Sequence, residues 1–480
     1  MKTQAFNPYL PSWEYIPDGE PYVFGDRVYV YGSHDQFDGK SFCLGDYVCW
    51  SAPTTDLSDW RFEGTIFEAT QDPKNPNREG ALFAPDVAKG TDGKYYLYYA
   101  LSNQNVTSVA VSDTPAGKYE FLGYIKDANG TPAGEAEPRY RQFDPGVLVD
   151  DDGKVYFATG FSPRDKSHFD KSGILCMGAY LFELEPDMLT IKRGGDIVAP
   201  SVHNSKGTGF EGHEFFEASS LRKVGEKYYF VYSSINSHEL CYAVSDYPDR
   251  GYKFGGTIVS NADIPLHGEN VFANYGGNTH GSIVEIEGQW YVFYHRQTNL
   301  HQYSRQACAE RIRIQPDGSI PQSEITSCGL NGKPLQAKGR YESRIACNLS
   351  SDKGADFYSL SKMPSEGRPY FTQTTPDGNY QEGESAQYIA NMHNNYWCGF
   401  KYFSFGGDES KITASARGSG TGKLVVSTKR GEDVLSEISV SPSKDISSSS
   451  APLNVSQGVY PLYFTYVGDG AIDFFDFTIA

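Results

Sequence analysis

Five short segments share one pattern: GDRVYVYG (25–32), DGKYYLYYA (92–100), DGKVYFATG (152–160), GEKYYFVYSS (225–234) and EGQWYVFYH (287–295). Each has a glycine-containing turn pair, a polar residue, then a run of aromatic and β-branched residues, the signature of a tight hairpin entering a strand. Aligned on that polar residue, Tyr29, Tyr96, Tyr156, Tyr229 and Tyr291 superimpose, at spacings of 67, 60, 73 and 62 residues. Near-constant spacing over five units implies a repeat architecture. A unit of this length holds about four strands, and five such sheets around an axis make a five-bladed β-propeller.

The strand before each turn carries one titratable residue at its start. Asp18, Asp86, Asp144, Glu217 and His280 lie 11, 10, 12, 12 and 11 residues before the aligned tyrosines. Alone, such an acid is an ordinary turn cap. Five in phase predict four carboxylates and a histidine converging at one mouth of the channel, where crowded like charges are costly unless function keeps them.

Composition narrows the chemistry. With 60 acidic and 42 basic residues the net charge is −18, which argues against nucleic acid and anionic membrane as partners. No apolar stretch is long enough to span a membrane. The start, MKTQAFNPYLPSWEYIPDGEP, lacks a signal-peptide core, so we expect a cytoplasmic protein, or a secreted one whose leader has been removed. Eight scattered cysteines without a CxxC pair read as free thiols. Nucleotide-binding loops, GxSxG and HExxH are absent.

Carboxylates with separated pKa values equip a site for glycoside hydrolysis: one protonated to donate to the leaving oxygen, one ionised to activate water. In EFFEASSLRKV (214–224), aromatic residues precede Glu217 and small ones follow it, so an apolar wall would raise its pKa by desolvation.

Residues 1–325 resemble glycoside hydrolase family 43, a five-bladed propeller family. The likeness rests on NPYLPSWEYIPDGEPYVFGDRVYVYGSHD, FAPDV, FDPGVLVDDDGKVYF, EASSLRKVGEKYYF and NTHGSIVEIEGQWYVFYHR. It implies Asp18 as general base, Asp144 as pKa modulator and orienter, and Glu217 as general acid. The family pattern there is closer to Glu-Gly-Pro, which leaves Glu211 and Glu214 as rivals. It further implies His280 as a calcium or water ligand on the channel axis, Arg296 as a contact to sugar hydroxyls and Asp86 as a structural or substrate-side acid.

The expected activity is inverting, exo-acting release of a terminal α-L-arabinofuranose or β-D-xylose from oligosaccharide or polysaccharide. The alternatives are an endo-arabinanase and a non-catalytic sugar-binding propeller. Residues 102–143 and 236–274 read as long inserts that would wall off a pocket.

Residues 326–345 read as a linker. From 346 to 480 short alternating strands predict a β-sandwich, and NNYWCGFKYFSFGGDESKITASARG resembles carbohydrate-binding module family 6. Asn391, Tyr396 and Trp397 are its possible sugar contacts or, alternatively, packing residues. SKDISSSSAP (443–452) reads as a flexible loop.

Overall fold

The computed structural model describes residues 4–164, 175–264, 271–374, 386–441 and 444–480. From residue 20 to residue 312 it forms four four-stranded antiparallel sheets and one three-stranded sheet. The first strand of each lies innermost: Glu20–Phe24, Asp86–Lys89, Gly146–Val149, Phe215–Val224 and Ile283–Ile286. Tight hairpins join them to the next strand. Their turn glycines, Gly25 and Gly225 among them, take φ of 67° and 58°, which side chains disfavour.

The inner strands touch around the axis. The Val147 amide donates to Asp86 at 2.8 Å, Ser220 bonds Ser282 at 2.7 Å, and Gly19 and Gly281 form a parallel bridge that closes the ring. At Gly146 the backbones come so close that a Cβ would lie 2.6 Å from the Ser219 carbonyl oxygen. The expected five-bladed propeller is therefore present.

The fifth sheet departs from the expected four strands. Its outer edge at His301–Ile312 is covered instead by the N-terminal segment. The Tyr9 amide donates to the Ala307 carbonyl at 3.2 Å. The Asn7 carboxamide exchanges two bonds with the Ala309 backbone, at 2.8 and 3.0 Å, as a strand neighbour would. The stretches read as pocket-forming inserts are partly blade, and residues 265–270 of the second lie outside the described residues. Thr107–Ser112 and Glu120–Tyr124 are outer strands of the second sheet, Glu239–Ser245 and Lys253–Ser260 of the fourth.

The C-terminal region packs two six-stranded sheets around an aromatic core that includes Phe400, Phe464, Phe474 and Phe477. The expected linker is part of this sandwich. Leu335–Gln336 pairs with Trp397–Phe405, and Gly339–Glu342 pairs with Ile472–Ile479. The serine run is also strand rather than loop. Ser447–Pro452 pairs with Lys411–Gly418, and hydroxyls face each other across it: Thr413 with Ser450 at 2.8 Å, Ser415 with Ser448 at 3.0 Å. Residue 443 of that segment lies outside the described residues. Trp397 and Tyr396 are buried, and the Asn391 side chain is taken up by the Ser365 and Arg368 carbonyls, which favours packing over sugar contact.

The two domains share a buried polar seam. Lys401 of the sandwich bonds Asp263 at 2.9 Å and Glu324 at 2.8 Å, both on the propeller side, and Tyr358 stacks on Tyr275 with centroids 5.2 Å apart. Breaking a buried ion pair strands its partner's charge, at roughly 3–5 kcal/mol. Lys401→Ala should lower the urea-unfolding free energy by about that much, and a propeller cut after residue 325 should be insoluble. A soluble, fully stable truncate would show that the seam is dispensable.

Candidate active site

The strand starts place Asp18, Asp144, Glu217 and His280 around one buried mouth of the channel. The backbone there is unusual. Asp18 and Asp144 themselves, and Ala218 after Glu217, adopt positive φ of 59°, 43° and 68°. Such conformations persist only where surroundings enforce them, and they cluster at functional sites. Around Glu217 the pairing with the next strand slips twice, between Phe215 and Glu217 and again before Ser220, which re-aims the side chain.

Asp18 faces cations. Arg305 donates through Nη1 to Asp18 Oδ1 at 2.9 Å and grips Asp35 with Nε and Nη2 at 2.8 and 3.0 Å. His295 is neutral. It accepts the Asp18 amide on Nδ1 at 3.2 Å and donates from Nε2 to the Asn278 carbonyl at 2.8 Å, and burial holds its pKa down at about 3. Burial alone would raise the Asp18 pKa. Arg305 leads the opposing effects, and the balance is lowered.

Across the mouth the balance reverses. Burial, with the Asp144 and Asp18 charges added, pushes Glu217 well above the ordinary carboxylate range despite His280 and Arg305. Asp144 is raised to about 7, by burial first. Its Oδ2 accepts the Ala218 amide at 3.0 Å, tying it to the residue after Glu217, and lies 3.6 Å from His280 Nδ1. At pH near 6 the arrangement gives one ionised carboxylate, Asp18, and an adjacent pair, Glu217 and Asp144, that stays largely protonated because burial and mutual repulsion oppose charge on either.

Beneath these lies a second layer. Glu20 pairs with Arg222, whose guanidinium sits 4.3 Å from the Tyr22 ring centroid. Asp86 accepts Tyr22 Oη at 2.6 Å and the Val87 and Val147 amides at 2.8 Å each, so it is a structural clamp between blades with no oxygen turned to substrate. Among the described residues, His280 Nε2 and Glu20 Oε1 are buried without hydrogen-bond partners, 3.5 Å apart. Two ligands about 2.5 Å from one calcium ion subtend roughly a right angle at that separation, so the pair fits a mostly hydrated cation.

Arg296 is the clear correction. Neighbouring residues of a strand face opposite ways. His295 faces Asp18, so Arg296 faces out. There it donates to the Ala346 carbonyl at 3.0 Å and to Gln306 at 3.0 Å, and lies on Phe371 of the sandwich, 3.9 Å from the ring centroid. Arg305, which the sequence reading missed, occupies the site instead. It sits in HQYSRQACAERI without a motif, and only the strand alternation from His295 could have pointed to its face. Of the rivals to Glu217, Glu211 is exposed and bonds the Gly207 and Gly209 amides, while Glu214 accepts Ser205 at 3.1 Å. Neither joins the Asp18–Asp144 group through any contact among the described residues. His213, Glu239 and Cys241 form a separate cluster in the fourth blade. The Glu239 carboxylate there is already filled by His213, Ser234, Asn236 and Thr257.

A five-bladed propeller whose axis holds carboxyl groups of opposed protonation is equipped for glycoside hydrolysis. The chain belongs to glycosyl hydrolases family 43, whose sequence pattern matches residues 16–320. It is 50% identical to a xylosidase/arabinosidase of Thermoclostridium stercorarium over 484 residues, covering 100% of this chain and 99% of the relative. A second xylosidase/arabinosidase, from Bacteroides ovatus, is 30% identical over 62% of this chain and 89% of its own. The fold of both domains is similar to that of an arabinoxylan arabinofuranohydrolase of the family from Bacillus subtilis, solved with cellotetraose. That likeness has a TM-score of 0.52 and 21% identity, and covers 99% of this chain and 97% of that one.

The opposed shifts set the pH profile. kcat/KM should be bell-shaped, with its acidic limb below the ordinary aspartate range near 3.9 and its alkaline limb set by Glu217. Arg305→Met removes the cation that keeps Asp18 ionised, so the acidic limb should move to higher pH. An unmoved limb would take Asp18 out of the titration.

Proposed function

We propose that the chain is an inverting, exo-acting glycosidase that releases terminal pentose, α-L-arabinofuranose or β-D-xylose, from hemicellulose-derived glycans. The observation that carries this reading is the pair of opposed carboxyl groups. Asp18, ionised beside Arg305, takes a proton from water as it attacks the anomeric carbon. Glu217, protonated, delivers its proton to the departing glycosidic oxygen. Asp144, beside the Glu217–Ala218 peptide, keeps that acid's pKa high and its carboxyl oriented. The names of the relatives support pentose as the sugar released.

Asp18 enters from the first blade and Glu217 from the fourth, which favours the wider carboxyl spacing of about 6.5–9.5 Å that leaves room for water, over the roughly 5–5.5 Å of retaining enzymes. NMR of the first-formed sugar, read before mutarotation, should show the anomeric configuration opposite to that of the substrate. Retention would overturn both the single-step mechanism and the role given to Asp18. Glu217→Gln should cost roughly 10²–10⁴-fold on natural glycosides. The loss should be far smaller where the leaving group needs no proton, and equal losses would reassign the acid.

We further infer that His280 and Glu20 hold a calcium ion whose other ligands are water. A compost-metagenome β-xylosidase/α-arabinofuranosidase of the family, 25% identical over 65% of this chain with a TM-score of 0.50, was solved with xylotriose in a calcium-free form. When bound, calcium supplies positive charge at the channel floor. Without it a proton on His280, whose pKa is raised to about 9, supplies part of that charge: burial opposes the shift, and Glu20, Asp144 and Asp18 outweigh it. Metal analysis of purified protein should find about one calcium per chain, and chelation should lower the melting temperature. A metal-free protein whose melting is indifferent to calcium would remove the ion. All eight cysteines are buried and unpaired with one another, which supports a reducing, cytoplasmic setting.

A further inference from the structure

A cavity of about 680 Å³ lies on the face of the propeller away from the catalytic mouth. Its place follows from the strands. In the first blade Phe24 pairs with Arg27 and Arg27 with Pro53, so the turn at residues 54–58 lies at the end of the sheet opposite Asp18. In the fifth, His280 precedes the inner strand Ile283–Ile286 and Glu287 follows it, roughly 20 Å apart at about 3.3 Å per extended residue. Both turns line the cavity, and residues 4–5 and 330–336 complete its wall. Its volume is in the range of small-molecule sites.

One polar group in the wall is unsatisfied. Tyr291 is only 7% exposed, and its hydroxyl has no hydrogen-bond partner among the described residues. A buried tyrosine hydroxyl normally finds one. This hydroxyl lies against the turn that lines the cavity: a Cβ added at Gly332 would sit 3.5 Å from it. Lys333, next in that turn, is exposed and makes no ion pair among the described residues.

The rest of the wall says what would fit. Leu57, Ile286 and Leu330 supply apolar surface. Asp56, Glu287 and Lys333 carry charges of both signs, so the wall selects neither an anion nor a cation. The two carboxylates already accept hydroxyls, Asp56 from Ser58 at 2.7 Å and Glu287 from Thr54 at 2.6 Å. Apolar surface for C–H faces, with acceptors and donors for O–H edges, matches a neutral, hydroxyl-rich molecule.

We propose that this cavity is a second, non-catalytic sugar site, which binds neutral pentose sugar on the face opposite the active site. The choice of pentose rests on the function proposed above, and binding is read without turnover, so the two are tested apart. In Glu217→Gln, which hydrolyses too slowly to consume the sugar, xylotriose or arabinotriose should slow acetylation of Lys333 several-fold, read by mass spectrometry, while exposed Lys118 reacts as before. Tyr291→Phe removes only an unbonded hydroxyl and keeps the ring, so the chain should fold as before. Placed in the same background, it should weaken the protection of Lys333 several-fold. In the native background it should leave kcat/KM on a methyl pentoside unchanged. Protection by xylose or arabinose as well assigns the site to released pentose; protection by the oligosaccharides alone assigns it to the glycan chain. Lys333 left unprotected by all four sugars, or protected equally in Tyr291→Phe, would overturn the site and leave the glycosidase reading intact. A native chain that protects Lys333 yet cleaves no pentoside would overturn the proposed function and keep the site.

Discussion

Carboxylates packed into a dry channel cannot all be charged, and how this chain divides the charge decides its chemistry. Asp18, Glu20, Asp86, Asp144 and Glu217 are each less than one-tenth exposed. The cations among them are few and placed unevenly. Arg305 is committed to Asp18 and Asp35, and Arg222 to Glu20. Asp86, Asp144 and Glu217, which no arginine bonds, rise, whereas Asp18, bonded by Arg305, falls. An acid and a base of the same residue class thus coexist at one pH because desolvation acts on both and a guanidinium on one.

Keeping such a site folded is the work of the ring. Polar groups on or beside three of the inner strands are held by a neighbouring blade: Asp86 by Val147, Asp144 by Ala218, Ser220 by Ser282. The positive φ values at Asp18, Asp144 and Ala218 are affordable because these bonds cross between blades, so one residue cannot relax without shifting the next sheet.

Much of this was legible in the sequence, for a physical reason. Tight turns need glycine and strands alternate with period two, so the hairpins announced themselves and their phase located the strand starts. Asp18, Asp144, Glu217 and His280 came with that phase. What failed was whatever lacked a local signal. Outer strands such as Glu120–Tyr124 are partly exposed and irregular, so they read as inserts. Ser447–Pro452 has the composition of a loop, yet pairs through hydroxyls that a propensity argument counts as unfavourable. Arg305 and Arg296 look alike in sequence, and only the face of the strand separates them. Glu20 lies two residues beyond Asp18 and was passed over because its partner, Arg222, is 202 positions away.

The same structure divides the mouth by ownership. The acid half is carried by the third and fourth blades, with His280 of the fifth beside Asp144. The base half is held from outside the propeller. Tyr15, three residues before Asp18, donates its hydroxyl to Gln373 of the sandwich at 2.7 Å. Asp38, in the loop that bonds Ser304 beside Arg305, is held by Lys362 at 2.8 Å and by Asn299, which in turn bonds Thr372. Arg296, turned away from the sugar, caps the Ala346 carbonyl. The sandwich therefore fixes the segment that carries the base, the loop over its arginine, and the outer face of the strand that carries His295. A domain joined by these bonds to the segment that carries Asp18 is a wall of the site's support, and its sequence is constrained by the packing of the propeller whether or not it touches a glycan itself.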